Sequence, residues 1–108
     1  MYLTNAFSLN MVDMASRSPR KWFLVDTQPI PPEEVPAEIT SAIDHPDTAR
    51  LVSSILGRHI PANRVTISLG YFDECILVRY VGPRLPEGST TLPEGASLSF
   101  FRICILPS

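Results

Sequence analysis

The strongest structural signal of the chain lies at residues 44–57, which read DHPDTARLVSSILG. The apolar residues of this stretch recur at three- and four-residue spacing, which is typical of one face of an α-helix. They are Ala49, Leu51, Val52, Ile55 and Leu56. Pro46 suits a first helical turn, Asp44 can serve as the N-cap and Gly57 as the C-terminal stop. The stretch predicts a helix over about 46–56, with His45 at its beginning.

Strand-like runs lie on both sides of this helix. Short runs of alternating or β-branched apolar residues bounded by turn residues are typical of strands. Such runs are found at 2–7, 21–26, 65–69, 75–81 and 98–106. The turn residues at 70–74 predict a hairpin between the third and fourth runs. About five strands, one main helix and short extra helical turns predict an α+β fold with a mixed or antiparallel sheet.

Two segments are predicted to be irregular. Four prolines fall within 29–36, and proline removes a backbone donor and blocks helix interiors, so we expect a loop with at most one helical turn around 33–38. Residues 82–97 hold three prolines and three glycines and predict a second loop. A chain of 108 residues has room for one core. Residues 1–108 are therefore predicted to form a single domain, irregular at about 15–40.

Composition and charge exclude several classes of protein. Nine basic and eleven acidic residues give a net charge of −2, which argues against a general coat for duplex nucleic acid. No apolar run approaches the ~20 residues of a membrane span. The N-terminus lacks the basic and apolar regions of a signal peptide, so we expect a cytoplasmic location and reduced thiols at Cys75 and Cys104. His45 and His59 are far apart in the chain and no metal-ligand spacing occurs, so neither a metal nor a cofactor is expected.

Two groups of residues could carry phosphate chemistry. A histidine at a helix start lies among free N–H groups, so His45 could bind an anion and donate a proton to a leaving oxygen. In the run GPRLPEG at 82–88 the prolines limit the freedom of Arg84, which could stabilise a phosphorane. Glu87 could orient Arg84 or a ligand hydroxyl. Taken singly, these residues are also explained as a helix cap and as a solvated Arg–Glu pair in a surface turn.

A third group consists of small polar residues at 4–10, which include Asn5 and Ser8. Such residues can hydrogen-bond ligand oxygens and bases, but they are equally suited to closing a turn. Arg64, at the start of a predicted strand, is open to both interpretations.

Four motifs, in this order along the chain, together resemble a known family. They are LTNAFSLNM at 3–11, AIDHPDTARL at 42–51, NRV at 63–65 and PRLPEG at 83–88. This set is similar to the small anti-CRISPR ring nucleases of type III systems, viral and cellular, that are called ring nuclease 2. The resemblance covers most of the chain except roughly 15–40.

The resemblance implies a metal-independent enzyme without a cofactor that cleaves cyclic tetra-adenylate, the second messenger of type III CRISPR defence. The family works as a two-fold symmetric homodimer with the ligand across the dimer cleft. A viral member acts in the host-cell cytoplasm. Six residues of this chain match the family's functional positions. The catalytic ones are His45, Arg84 and Glu87, with the histidine as general acid, and the substrate-binding ones are Asn5, Ser8 and Arg64.

Three positions depart from the family pattern: Asp44 replaces a glycine, Asp47 a serine and Arg79 a glutamine. The carboxylate of Asp44 could repel phosphate or favour the acid form of the neighbouring imidazole. Two alternatives therefore stay open. One is a non-cleaving binder of cyclic oligoadenylates with the same fold, and the other is a structural or protein-interaction module that docks a partner through the loop at 82–97.

Overall fold

The computed structural model describes residues 1–12 and 23–107. In these residues one α-helix and two 3₁₀ turns accompany a five-stranded sheet, so the predicted α+β class with a mixed sheet is confirmed. The strands are β1 (Tyr2–Thr4), β2 (Phe23–Ile30), β3 (Thr40–Ala42), β4 (Glu74–Val81) and β5 (Ser97–Pro107). Helix α1 is Pro46–Leu56, and the 3₁₀ turns are Leu9–Met11 and Pro32–Glu34. The first two residues of the strand predicted at 21–26 lie outside the described residues.

The strand order in the sheet is β2-β5-β4-β1-β3. β5 pairs antiparallel with both β2 and β4, whereas β1 is parallel to both β4 and β3. Because β1, β3 and β4 run in one direction, their carboxyl ends meet at one edge of the sheet. The connections that leave this edge carry most of the residues singled out from the sequence.

Helix α1 has the predicted bounds, but its N-cap differs from the prediction. The cap is His45, whose Nδ1 accepts a hydrogen bond from the backbone N–H of Asp47 at 3.3 Å. Pro46 takes the first helical position, which suits its fixed φ, so Asp44 lies one residue too early to cap. At the other end Gly57 adopts a φ of +69°, the left-handed conformation that commonly closes a helix.

The prediction of a strand at 65–69 was wrong, and so was the prediction of a hairpin between it and 75–81. Ile67 and Leu69 are buried as the alternation predicted. Within the described residues, however, this segment forms only an isolated parallel bridge between Leu69 and Val12, and both residues lie outside the five strands of the sheet. Alternation reports which side of a segment is buried, and burial can come from covering a sheet face as well as from pairing at its edge. The fifth strand of the sheet is instead β3, a three-residue edge strand next to β1 that was not predicted.

The proline-rich segment is more regular than predicted. β2 continues through Pro29 to Ile30, and one helical turn follows at Pro32–Glu34. A proline is tolerated here because β2 is an edge strand of the sheet that the described residues form. Among the described residues, no helix is long and apolar enough to cross a membrane.

The sheet buries apolar residues on both faces. On one face the helix residues Ala49 and Val52 share a cluster with Ile76 and Val78 of β4 and with other buried residues. On the opposite face the segment at 65–69 contributes to a second cluster, whose buried members are Val12, Ala42, Ile67, Leu69, Cys75, Ile103 and Ile105. Burial of a large aliphatic side chain contributes roughly 1.5–3 kcal/mol to the free energy of unfolding. The two clusters therefore hold α1 against one face of the sheet and the segment at 65–69 against the other.

The two cysteines are free thiols on neighbouring strands. Cys75 stands opposite Ile103, whereas Cys104 stands opposite Glu74, so the two thiols point to opposite faces of the sheet. Burial raises the pKa of the Cys75 thiol to about 11. Desolvation also raises the pKa of Cys104, and the carboxylate of Glu74 adds to this effect.

Candidate functional site

Three connections meet where the parallel strands end. Asn5 directly follows β1, His45 follows β3 by three residues, and Arg84 follows β4 by three residues. Ligands of open sheets commonly bind outside the carboxyl ends of parallel strands, because loops from neighbouring strands converge there. This topology brings His45 and Arg84 to the same edge although they are distant in the chain.

One open cleft at this edge unites the three residues predicted to be catalytic. It has a volume of about 860 Å³ and is lined by His45, Arg84 and Glu87, all of which are exposed. Its other polar lining residues are Asp47, Thr48, Arg50 and Tyr80. We call it the His45 cleft. Its size suits part of a nucleotide ligand, since ligand pockets commonly measure roughly 300–1,000 Å³.

His45 presents its ring to the cleft in a defined orientation. Because Nδ1 accepts a hydrogen bond from the Asp47 N–H, the proton of the neutral ring is on Nε2. The first turn of α1 offers little to an anion. Pro46 has no N–H, and the Ala49 N–H donates to the His45 carbonyl at 3.0 Å, so that Thr48 carries the one first-turn N–H without a partner in the described structure.

The Arg84 segment is held at both of its ends. The hydroxyl of Tyr80 donates to the carbonyl oxygen of Pro83, directly before Arg84. The N–H of Gly88, directly after Glu87, donates to Oδ1 of Asp47 at 3.3 Å. The four residues at 84–87 therefore lie between an anchor on β4 and an anchor on α1.

The formal charges of the His45 cleft cancel when its imidazole is neutral. Arg50 and Arg84 contribute two positive charges, and Asp47 and Glu87 contribute two negative ones. Nη1 of Arg50 lies 3.5 Å from Oδ1 of Asp47, so one carboxylate is already paired inside the chain. Arg84 and a protonated His45 are thus the groups through which the cleft can attract a phosphate.

A second, smaller cleft contains two of the residues predicted to bind substrate. It has a volume of about 180 Å³ and is lined by Asn5 and Arg64, with Asp44 and Val65 beside them. We call it the Arg64 cleft. Because Asp44 and His45 are consecutive residues, the short connection between β3 and α1 contributes one lining residue to each cleft.

The remaining candidate, Ser8, lines neither of these clefts. It is exposed and precedes the 3₁₀ turn, with its carbonyl oxygen accepting from the Met11 N–H at 3.1 Å. Within residues 1–12 and 23–107, no group of three or more His, Cys, Asp or Glu side chains could hold a metal ion.

Among the polar residues of the His45 cleft, Tyr80 and Arg50 were not singled out from the sequence. Tyr80 shares a face of β4 with Ile76 and Val78, so strand alternation would have placed it on the helix side of the sheet. Arg50 lies one helical turn after Asp47 on the same face of α1. Both could have been found by extending the periodicity to polar residues.

The fold and clefts define a class: a small α+β domain whose polar clefts lie beyond the carboxyl ends of three parallel strands. The family model of STIV B116-like proteins matches residues 1–97, and the chain belongs to this family. Among solved structures, it is similar to B116 of Sulfolobus turreted icosahedral virus (STIV), with a TM-score of 0.70 and 24% identity. That match covers 95% of this chain and 97% of the viral protein, and it establishes the fold. No curated protein matches the chain.

Proposed function

We propose that this protein is a metal-independent ring nuclease that cleaves cyclic tetra-adenylate to linear di-adenylates and so lowers type III CRISPR signalling. If the protein is viral, it acts in the host-cell cytoplasm. The observation that carries the proposal is that His45, Arg84 and Glu87 line one cleft. Membership in a family that includes a viral protein is consistent with the motif resemblance.

The proposed reaction needs no metal ion and no water nucleophile, because the nucleophile is part of the substrate. A ribose 2′-oxygen attacks its neighbouring 3′-phosphorus, the P–O2′ bond forms and the P–O5′ bond breaks. Arg84 stabilises the charge of the phosphorane, protonated His45 donates its proton to O5′, and Glu87 takes the proton of the 2′-hydroxyl. Two such cleavages convert the ring into two di-adenylates that each end in a 2′,3′-cyclic phosphate.

General acid catalysis requires that His45 leave its capping position. A protonated imidazole carries hydrogen on both ring nitrogens, so its Nδ1 can no longer accept from the Asp47 N–H. The charged ring must give up this hydrogen bond and rotate within the cleft, where a bound phosphate supplies the acceptor. The lost cap costs roughly 0.5–2 kcal/mol, which a charge-assisted hydrogen bond to phosphate can offset.

We also propose a two-fold symmetric homodimer as the active form. A ring of four identical nucleotides has two-fold symmetry, and an isologous dimer offers it two matching half-sites. Exposed apolar side chains lie at the Arg64 cleft: Val65, which lines it, is 40% exposed, and Leu9, in the same 3₁₀ turn as the lining residue Met11, is 70% exposed. We expect the partner subunit to cover these side chains.

The test is the incubation of the protein with cyclic tetra-adenylate in EDTA, followed by chromatographic separation of the products. We expect His45→Ala to slow cleavage by about 10²–10⁴-fold, which is the usual contribution of proton transfer. Binding of the ring should change little. His59→Ala is the matched control, since His59 is the other histidine of the chain and does not line the His45 cleft. Equal cleavage by His45→Ala and the parent protein would remove His45 from the mechanism.

One observation favours a second candidate function, a non-cleaving binder of the same ligand. Nδ1 of His45 accepts a hydrogen bond, which only a neutral imidazole can do, and the carboxylate of Asp44 directly precedes this residue and opposes a bound phosphate. A binder would show a ligand-dependent thermal shift without product. If neither binding nor cleavage occurs, the protein-interaction module becomes the better explanation.

A further inference from the structure

Asp47 contacts both halves of the His45 cleft. Its backbone N–H donates to Nδ1 of His45, and its Oδ1 accepts from the N–H of Gly88, each at 3.3 Å. One residue therefore contacts both the imidazole in its capping orientation and the segment that carries Arg84 and Glu87. The same carboxylate lies 3.5 Å from Nη1 of Arg50, which compensates its charge.

Tyr80 holds the other end of that segment. Its hydroxyl donates to the carbonyl of Pro83, so the backbone is fixed one residue before Arg84. One residue beyond the Gly88 anchor, the N–H of Ser89 donates to the carbonyl of Pro86 at 3.2 Å, which closes a turn at this end of the segment. The segment at 84–87 thus has little freedom to move away from α1.

We propose that Asp47 and Tyr80 are positioning residues, which hold the segment at 84–87 against the start of α1 so that Arg84 and Glu87 face His45. This inference rests on the ring-nuclease function proposed above and deepens it. It also gives the aspartate at 47, where relatives carry a serine, a role inside the chain. Its carboxylate accepts a hydrogen bond from Gly88 and pairs with Arg50 instead of facing the ligand.

The physical reason for such anchors is the entropy of a loop. The loop at 82–96 carries Arg84 and Glu87 as exposed side chains. If they became ordered only when the ligand binds, the entropy lost in ordering them would oppose binding and reaction. Anchors that form within the chain order the backbone beforehand, and correct orientation is a large part of rate enhancement. Pro83 and Pro86 restrict the same segment further.

The first test needs no activity and uses the ligand-free protein. We measure the amide hydrogen exchange of Gly88 by NMR in the parent, in Asp47→Ala and in Asp47→Asn. The loss of one such hydrogen bond should speed exchange by about 3- to 10-fold in Asp47→Ala. Asp47→Asn keeps an acceptor oxygen and should stay close to the parent. Unchanged exchange in Asp47→Ala would overturn the anchor, whether or not the protein is a nuclease.

The second test uses turnover of cyclic tetra-adenylate. We expect kcat to fall by about 10-fold in Asp47→Ala and in Tyr80→Phe with little change in KM, because positioning acts on the reacting groups more than on overall binding. Asp47→Asn should restore kcat. Glu94→Ala, in the same loop but outside the anchored segment, is the matched control and should leave kcat unchanged. If Asp47→Asn is as slow as Asp47→Ala, the charge and not the acceptor matters, and the proposal is wrong.

Discussion

The His45 cleft and the Arg64 cleft are both lined by the short connection between β3 and α1, yet they differ in what they can do. The His45 cleft combines an imidazole, two guanidinium groups and two carboxylates. The Arg64 cleft offers one guanidinium group, the amide of Asn5 and the carboxylate of Asp44. Imidazole is the side chain most often used for general acid–base catalysis, so proton transfer is suited to the first cleft and ligand recognition to the second.

The clefts also differ in how their arginines are carried. Arg84 lies on a segment anchored to β4 and α1 on either side of it. Arg64 is exposed in the irregular segment before the buried residues Ile67 and Leu69. A group that must meet a reacting phosphate needs a fixed position, whereas a group that only attracts a ligand can tolerate freedom. The difference supports a division between catalysis and binding, which substitutions in each cleft can test.

The largest effect expected from this pair of arginines is that of Arg84→Ala. Loss of a donor that stabilises charge in a transition state commonly lowers kcat by about 10²–10³-fold. We expect a loss of this size in the cleavage of cyclic tetra-adenylate, with a small change in KM. A variant that raises KM and keeps kcat would show that Arg84 acts in binding alone, and the two clefts would then not differ.

A smaller effect is expected for Arg64→Ala, the matched change in the other cleft. The side chain is exposed, so its contact with a phosphate is weakened by solvent and we expect an affinity loss of about 10-fold. The kcat measured at saturating ligand should stay within about 2-fold of the parent. A contact that stabilises the bound substrate and the transition state equally changes KM but not kcat. Calorimetric titration and saturation kinetics together check this. A loss in kcat as large as that of Arg84→Ala would end the division of roles.

The smallest effect is expected for Gly82→Ala, at the base of the loop that carries Arg84. Gly82 has a φ of +154°, and an added Cβ would lie 2.6 Å from Cβ and 2.8 Å from Cα of Ala96. The chain must shift there, and the same Cβ would crowd the Tyr80 hydroxyl at 3.2 Å. We expect kcat to fall by about 3- to 10-fold through displacement of Arg84, while affinity through the Arg64 cleft is kept.

Gly95→Ala is the control for the backbone strain alone. Gly95 has a φ of +79°, but nothing lies within 4 Å of an added Cβ. The variant should lose ~1–2 kcal/mol of unfolding free energy in urea, as expected for an L-residue in the left-handed region, without a loss in kcat. If both glycine variants lower kcat equally, the contact with Ala96 does not position the loop.

The sequence predicted those elements that are encoded locally. The bounds of α1 followed from its apolar spacing, Pro46 and Gly57, because each acts within one or two helical turns. The loop at 82–96 followed from its prolines and glycines for the same reason. The burial of Ile67 and Leu69 was also predicted, but their strand was not formed, since an alternating pattern cannot distinguish a paired strand from a segment that covers a sheet.

The candidate site was predictable as a set of residues but not as an arrangement. The motifs named His45, Arg84 and Glu87, and the structure brings them to one cleft. Tyr80 was missed, and Asp47 was noted for its departure from the family pattern but not for its contact with Gly88. Ser8 was named with Asn5 and Arg64, yet it lies in neither cleft. A hydrogen bond between a helix and a loop 41 residues away has no local sequence signal.

By itself, the sequence determined one helix, one loop, the sides of the sheet that are buried and the residue types available for phosphate chemistry, because propensities and periodicity act over short distances. The tertiary structure alone decided that these groups meet. That outcome depends on β3, three residues whose pairing with β1 makes three strands end at the same edge. Such pairing is a long-range contact, with a free energy that comes from the assembled sheet and not from the three residues themselves.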